Sequence, residues 1–230
     1  MALLPGTPPI EIVMKRSAQA RRFSLRVSRL DGRVTLTLPA RARETEAMRF
    51  LSAQEGWLRQ TLAEMPEATG QPVGIGAALT VEGRVLQIES AGGRAIRVEG
   101  ARLLVPGDPA SAGRRIGAWL RVLARDRLAR ASDHYAGLVG RRYSRLTLRD
   151  TRSRWGSCSP DGALMYSWRL ILAPPEVLAY VAAHEAAHLV EMNHSAAYWA
   201  VVERIYPGWQ RQRAWLRAEG QALHRPRFGD

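Results

Sequence analysis

Apolar and polar residues alternate in three short stretches near the start of the chain, 10–14, 23–27 and 34–38. A period of two predicts strands, and Asp31-Gly32 supplies a turn between the last two. The period then lengthens. Met48, Leu51, Leu58 and Leu62 recur at helical spacing across residues 43–65, and Pro66 predicts the stop. Residues 70–78 are glycine-rich and read as a loop, while 79–89 and 95–105 read as a hairpin around Gly92-Gly93. Pro106-Gly107-Asp108-Pro109 is the strongest break along the chain. It places a division into a β-rich N-terminal subdomain with one helix, 1–107, and a second domain, 108–230.

Beyond that break, residues 111–138 predict a long amphipathic helix with Ile116, Trp119, Leu120, Leu123, Leu128, Tyr135 and Leu138 as its apolar positions. Residues 145–149 alternate as a half-buried strand, and 162–172 read as another after an Asp161-Gly162 turn. Pro174-Pro175-Glu176 opens a helix, because proline is tolerated in a first turn and an early acid suits the helix dipole. Helices over 195–205, ended by Pro207-Gly208, and 209–223 complete an α+β chain in which no internal repeat is visible.

The helix that starts at Pro174 carries His184-Glu185-Ala186-Ala187-His188. Residues four apart share one helix face, so two imidazoles can grip one metal ion while the carboxylate stands beside them. This is the H-E-x-x-H arrangement of zinc hydrolases. Zinc in a catalytic site takes three protein ligands and leaves one position to water, whose pKa it lowers to about 7. Glu185 is the candidate general base. His194 is the candidate third ligand, ten positions after His184, the spacing at which metzincins supply theirs. Metzincins carry glycine at the intervening turn, where this chain has Glu191, so the turn is expected later, at Asn193, a residue that tolerates the left-handed conformation. Glu203 on the next helix and Glu191 compete for the third position, although helical phase points Glu191 away from His188. Zinc fits these ligands best, and nickel, cobalt or manganese can occupy the same set.

Other residues offer alternatives. His134 lies beside the apolar stripe of the long helix and reads as a hydrogen-bonded structural residue, and His224 falls in a polar C-terminal tail. The run Arg152-Ser153-Arg154-Trp155-Gly156-Ser157-Cys158-Ser159 joins two predicted strands, and reads either as a substrate-side wall or as a packed loop turning at Gly156. Tyr198, Arg154 and Arg169 are candidates for stabilising an oxyanion. Cys158 is the only cysteine; it excludes an intrachain disulfide, fits a reducing cytoplasm, and reads as buried and inert rather than nucleophilic.

Composition narrows the class further. Hydrophobic content of 46% and charged content of 24% are those of a soluble globular protein. No run of eighteen apolar residues occurs and the N-terminus lacks the regions of a signal peptide, so no membrane association is expected. Net charge is +13, with Lys15 the only lysine and basic residues spread throughout. Such a surface admits nucleotide or nucleic-acid partners, so a metal-dependent phosphohydrolase acting on nucleotides and a basic DNA-associated protein stand beside the leading reading, a zinc-dependent peptidase acting on peptide or protein.

The run Arg154 to Ser159, then Trp168-Arg169-Leu170-Ile171-Leu172-Ala173-Pro174, the His184 to Leu189 stretch, Asn193-His194-Ser195 and Tyr198-Trp199 resemble the YgjP-like metallopeptidase family of bacteria, which is similar to the SprT and WLM zincins. The β-rich start resembles it too, through Arg21-Arg22 and the strand ending at Pro39. The resemblance implies a zincin-like catalytic domain with His184, His188 and His194 as ligands and Glu185 as base. The chain departs from the family in Ala186, where a larger residue is usual, and in Ser167, where asparagine is common.

Overall fold

The computed structural model describes residues 2–28, 32–63 and 70–229. The chain divides into two compact units, Met1–Thr69 and Gly70–Asp230. The break at 106–109 therefore lies inside the second unit, and the division expected at 107/108 falls instead near residue 70. The reason is packing: Leu103 and Val105 before the break and Ile116 and Leu120 after it belong to one buried core.

In the first unit, strands β1 (Ala2–Leu4), β2 (Ile10–Ser17), β3 (Ser24–Val27) and β4 (Val34–Pro39) form a sheet of order β1-β2-β4-β3. Its pairs run antiparallel, parallel and antiparallel. Ile12, Leu36 and Leu38 alternate inward against Leu51 and Leu58. Those leucines come from two helices, α1 (Glu44–Ala53) and α2 (Glu55–Ala63), where one was expected. The helix breaks at Gln54, whose φ of −102° and ψ of 5° leave the helical region. The expected turn residue Asp31 and the expected stop at Met65-Pro66 lie outside the described residues.

The second unit opens with β5 (Gln71–Pro72), then β6 (Ala78–Val81), β7 (Arg84–Ala91), β8 (Arg97–Glu99) and β9 (Arg102–Pro106). The last four form a sheet of order β6-β7-β9-β8, again antiparallel, parallel, antiparallel. The same strand order thus occurs twice in the chain. Sequence hides it, because strands in equivalent places, IEIVMKRS and RVLQIESA, share little but alternation. The single hairpin expected around Gly92-Gly93 is in fact two. The first turns at Glu82-Gly83, with φ of 48° and 72° at its two central residues, the signature of a type I′ turn. The second turns at Gly100, φ 62°.

Helix α3 (Ala112–Leu138) buries Ile116, Leu120, Ala124 and Leu128, one residue every fourth position. It packs on a three-stranded sheet, order β10-β12-β11, made of β10 (Arg145–Arg149), β11 (Gly156–Cys158) and β12 (Ala163–Ser167). The strand expected to reach Leu172 ends at Ser167 and winds into a 3₁₀ turn, Trp168–Leu172. Leu170, Ile171, Leu172 and Ala173 are all buried, which an alternating strand with one wet face does not permit. Helix α4 (Pro175–Ala187) follows; then come α5 (Ala196–Ile205), α6 (Gln210–Glu219) and β13 (Pro226–Arg227), which pairs with β5. Among the described residues no helix is long and apolar enough to cross a membrane.

Where α3 starts, Gly113 has no room for a side chain: an added Cβ would lie 2.6 Å from the Val73 carbonyl oxygen and 2.7 Å from that of Phe228. Gly137, near the other end of the same helix, faces nothing within 4 Å. Gly113→Ala should therefore lower stability by about 1–3 kcal/mol. Gly137→Ala should leave it unchanged or raise it by up to about 1 kcal/mol. Paired urea denaturation curves separate the two, and equal midpoints would contradict the close backbone approach at Gly113.

Candidate metal centre

Helix α4 is buried on almost every side: Val177, Leu178, Tyr180, Val181, Ala182, Ala183, Ala186 and Ala187 all lie in the interior. The His-Glu-His set rides on its last turn. The helix ends at Ala187, with His188 at the C-cap (φ −67°, ψ −15°) still one turn above His184. Bonds from Leu189 N–H to Ala186 O and from Val190 N–H to Ala187 O tighten that last turn. The chain therefore turns before Asn193, which does not adopt the left-handed conformation expected of it; among the described residues only Glu82 does so without being glycine.

This early exit swings His194 back onto the helix. The ring nitrogens of His184, His188 and His194 come within 4.8 Å of one another. His184 Nε2 and His194 Nε2 are 3.1 Å apart. Two nitrogens bound to a tetrahedral zinc at 2.0–2.1 Å stand about 3.3 Å apart, so the pair is already at the bite of such an ion. His188 Nδ1 lies 3.0 Å from the Glu191 carbonyl oxygen. A proton held there leaves Nε2 unprotonated and available as a ligand. Glu191 thus contributes its backbone, not its carboxylate. Neither Glu191 nor the exposed Glu203 joins the cluster, so of the three residues competing for the third position the geometry gathers His194.

Burial sets the charges. His184 is pushed down to about 3, by burial first and then by His188, His194 and Arg213. His188 is lowered, again chiefly by burial. Glu185 is 4% exposed, and burial pushes its carboxyl up to about 8 against a smaller opposing pull from Arg154. Three imidazoles, one of them with an orphaned nitrogen, His184 Nδ1, make a donor set that suits a divalent cation.

The loop before β12 supplies the wall facing Glu185. Gly156 opens β11, and a Cβ there would lie 2.6 Å from Glu185 Oε1 and 2.7 Å from its Cγ. Bare backbone at this position is what lets the carboxyl lie against the strand. Of the two readings of residues 152–159, the structure thus gives a short strand beside the site. Trp155, next to Gly156, stacks on His224 with ring centroids 5.0 Å apart. His224 is accordingly no free tail residue: burial, then Arg169, pushes it down to about 4. Nothing in the sequence announced that contact.

Of the oxyanion candidates, two are already committed. Tyr198 is wholly buried, stacks on His188 at 4.4 Å and donates its hydroxyl to the His184 carbonyl at 2.9 Å. Arg169 is held by both Asp150 oxygens, at 2.7 and 3.1 Å. Arg154 is exposed and acts electrostatically on Glu185. His134 is exposed and sits edge-on to Tyr135. Burial raises the Cys158 thiol to about 11, which suits an inert residue rather than a nucleophile.

A family model described as a YgjP-like metallopeptidase domain matches residues 21–219. The chain belongs to that family. The match takes in most of the first unit as well as the histidine cluster, so the fold is the α+β fold of a metallopeptidase family. None of the curated proteins matches the chain. Among solved structures it is similar to the crystal structure of the metallopeptidase zymogen of Pyrococcus abyssi abylysin, at 23% identity and a TM-score of 0.35, covering 45% of this chain and 97% of that one.

The shifted groups give the metal-free chain a stability optimum. His184 and His224 stay neutral when folded but take up protons near pH 6.5 when unfolded, so stability falls as pH drops below about 6.5. Glu185 has the opposite sign: protonated when folded up to about 8 and ionised when unfolded above about 4.5, it lowers stability as pH rises towards 8. Each group contributes at most about 1.4 kcal/mol per pH unit. Melting temperatures of the metal-free chain should peak near pH 6.5, and Glu185→Gln should flatten the alkaline limb. A flat profile would contradict the buried, neutral state of this cluster.

Proposed function

We propose that the chain is a zinc-dependent peptidase in which His184, His188 and His194 hold the metal and Glu185 is the general base. The observation that carries this reading is the convergence of three imidazoles beside a buried carboxyl on the same helix. When bound, the metal supplies acidified water and polarises a carbonyl. The protein's own parts have distinct tasks. Glu185 takes a proton at its carboxylate and returns it to the departing amine. Without a metal, burial holds this carboxyl protonated at neutral pH; a cation at the histidines would favour the carboxylate, the form a base needs. Glu191 O orients His188, and Tyr198 fixes the backbone at His184.

Sheet geometry favours a peptide over a nucleotide. Strand β11 is an edge, paired with β12 alone. Bonds from Ser167 N–H to Trp155 O and from Ser159 N–H to Ala163 O bracket it. Antiparallel alternation then turns Ser157 towards Met165, and sets the N–H and C=O groups of Gly156 and Cys158 on the outer edge. An extended substrate can add there as a further strand, its backbone passing Glu185. The phosphohydrolase and DNA-binding readings draw on charge alone, whereas the open strand edge matches the hydrogen-bonding backbone of a peptide.

Elemental analysis of the purified chain should find about one zinc per chain, lost in His188→Ala and His194→Ala. Glu185→Gln should keep the metal and lose at least about a hundredfold in peptide hydrolysis. Gly156→Ala should do the same more mildly, by displacing the carboxyl. Zinc retained in His194→Ala would move the third ligand elsewhere. Release of phosphate from nucleotides, with no amine released from peptides, would replace the peptidase by a phosphohydrolase.

A further inference from the structure

Beside His184 and His194 lies an aromatic wall with one cation on it. Trp199 follows Tyr198 on α5, its ring 6.0 Å from His184 and 5.8 Å from His194. Trp209 stacks behind it at 4.2 Å with a 19° tilt, and Tyr180 backs Trp209 in turn. Arg213, one turn into α6, lays its guanidinium 4.8 Å from the Trp199 ring and 5.5 Å from that of Trp209.

Two other half-buried arginines of this unit are committed to acids, Arg169 to Asp150 and Arg127 to Glu82 and Asp126. Arg213 differs. Among the described residues no carboxylate pairs with it and no hydrogen bond holds it. Its guanidinium carbon lies over two indole rings, and its N–H groups stay unspent. A guanidinium restrained by cation–π contacts is a planar fork that can make two parallel bonds to a carboxylate. Its charge is also felt at His184, which places it within electrostatic reach of the cluster. Arg154 likewise acts electrostatically on Glu185, so two cations attend the site.

We propose that Arg213, stacked on Trp199 and Trp209, is a carboxylate-binding subsite that selects peptides bearing an anionic group close to the bond cleaved. Extended chain spans about 3.3 Å per residue, so a carboxylate two or three residues from a bond at the histidines reaches the guanidinium. An acidic side chain and a free peptide C-terminus offer the same chemistry. The inference rests on the peptidase reading for its substrate class, but its binding chemistry can be measured apart from turnover.

The test uses matched short peptides: Glu against Gln at positions flanking the bond, and free acid against amide at the C-terminus. Calorimetry reads their binding to the metal-free chain and to zinc-loaded Glu185→Gln. Carboxylate peptides should bind about tenfold more tightly than their neutral twins. Arg213→Gln should erase that ratio, and Arg213→Lys, which keeps the charge but not the planar fork, should restore part of it. In cleavage by the otherwise unaltered chain, Arg213→Gln should raise KM for acidic peptides with little change in kcat. Whichever pair shows the ratio identifies the source, side chain or C-terminus. Equal binding of both twins, a ratio that survives Arg213→Gln, or no binding of any peptide overturns the subsite. A ratio that depends on Arg213 without any cleavage by the chain upholds the subsite and removes the peptidase reading instead.

Discussion

A helix buried on almost every side has few places to put polar groups except against one another, and α4 imposes that constraint on everything around it. Eight apolar residues of α4 seal it into the core, and its last turn carries three groups that prefer water. Removing an unpaired ionisable group from water is expensive, so the surroundings are arranged to limit the penalty. The Tyr198 hydroxyl covers the His184 carbonyl and the Glu191 carbonyl takes up His188 Nδ1. What cannot be paired is neutralised, which is why His184 is lowered and Glu185 raised. A cation placed among the three imidazoles reverses the pressure on Glu185, since an adjacent positive charge favours carboxylate over acid. The burial that makes the cluster uncomfortable alone is what makes it selective for a positive ion.

How much of this was legible in the sequence depended on range. His184, Glu185 and His188 lie within one helical turn, and His194 is a short loop away, so spacing alone was enough to bring them together. The long helix and the strand at 145–149 were readable for the same reason, because periodicity is local. Strand β11 was not. Gly-Ser-Cys has no alternation of apolar and polar residues, and it is a strand only because β12 offers it a partner. The turn at Glu82-Gly83 escaped notice because glutamate seldom takes a positive φ, and the hairpin was centred on the more conspicuous Gly92-Gly93. The division of the chain was misplaced because a Pro-Gly-Asp-Pro break marks a sharp turn, whereas unity of a core is decided by which buried residues meet.

His224 shows the same limit from the other direction. By composition its segment is polar and basic, yet it is folded against the site. Arg169 makes the difference. Its guanidinium grips Asp150 at the end of β10 and the Leu223 and Pro226 carbonyls of the C-terminal segment, while lying over Trp168 at 4.8 Å. That one side chain ties the strand leading into the Trp155 loop to the segment that carries His224. Gly220 completes the enclosure: a Cβ there would lie 3.1 Å from the Trp155 ring. Trp155 is thus held between His224 and Gly220, and the next residue is Gly156, on which the Glu185 carboxyl rests. Rigidity at a buried acid needs support from behind as well as contact in front, because a side chain is only as fixed as the surface it leans on. Here that surface is a two-residue stretch of backbone braced by residues from the far end of the chain. The His184-Glu185 to His188 spacing on α4 is recognisable in the sequence, but the bracing of the strand that Glu185 leans on is a property of Arg169 and the segment it holds.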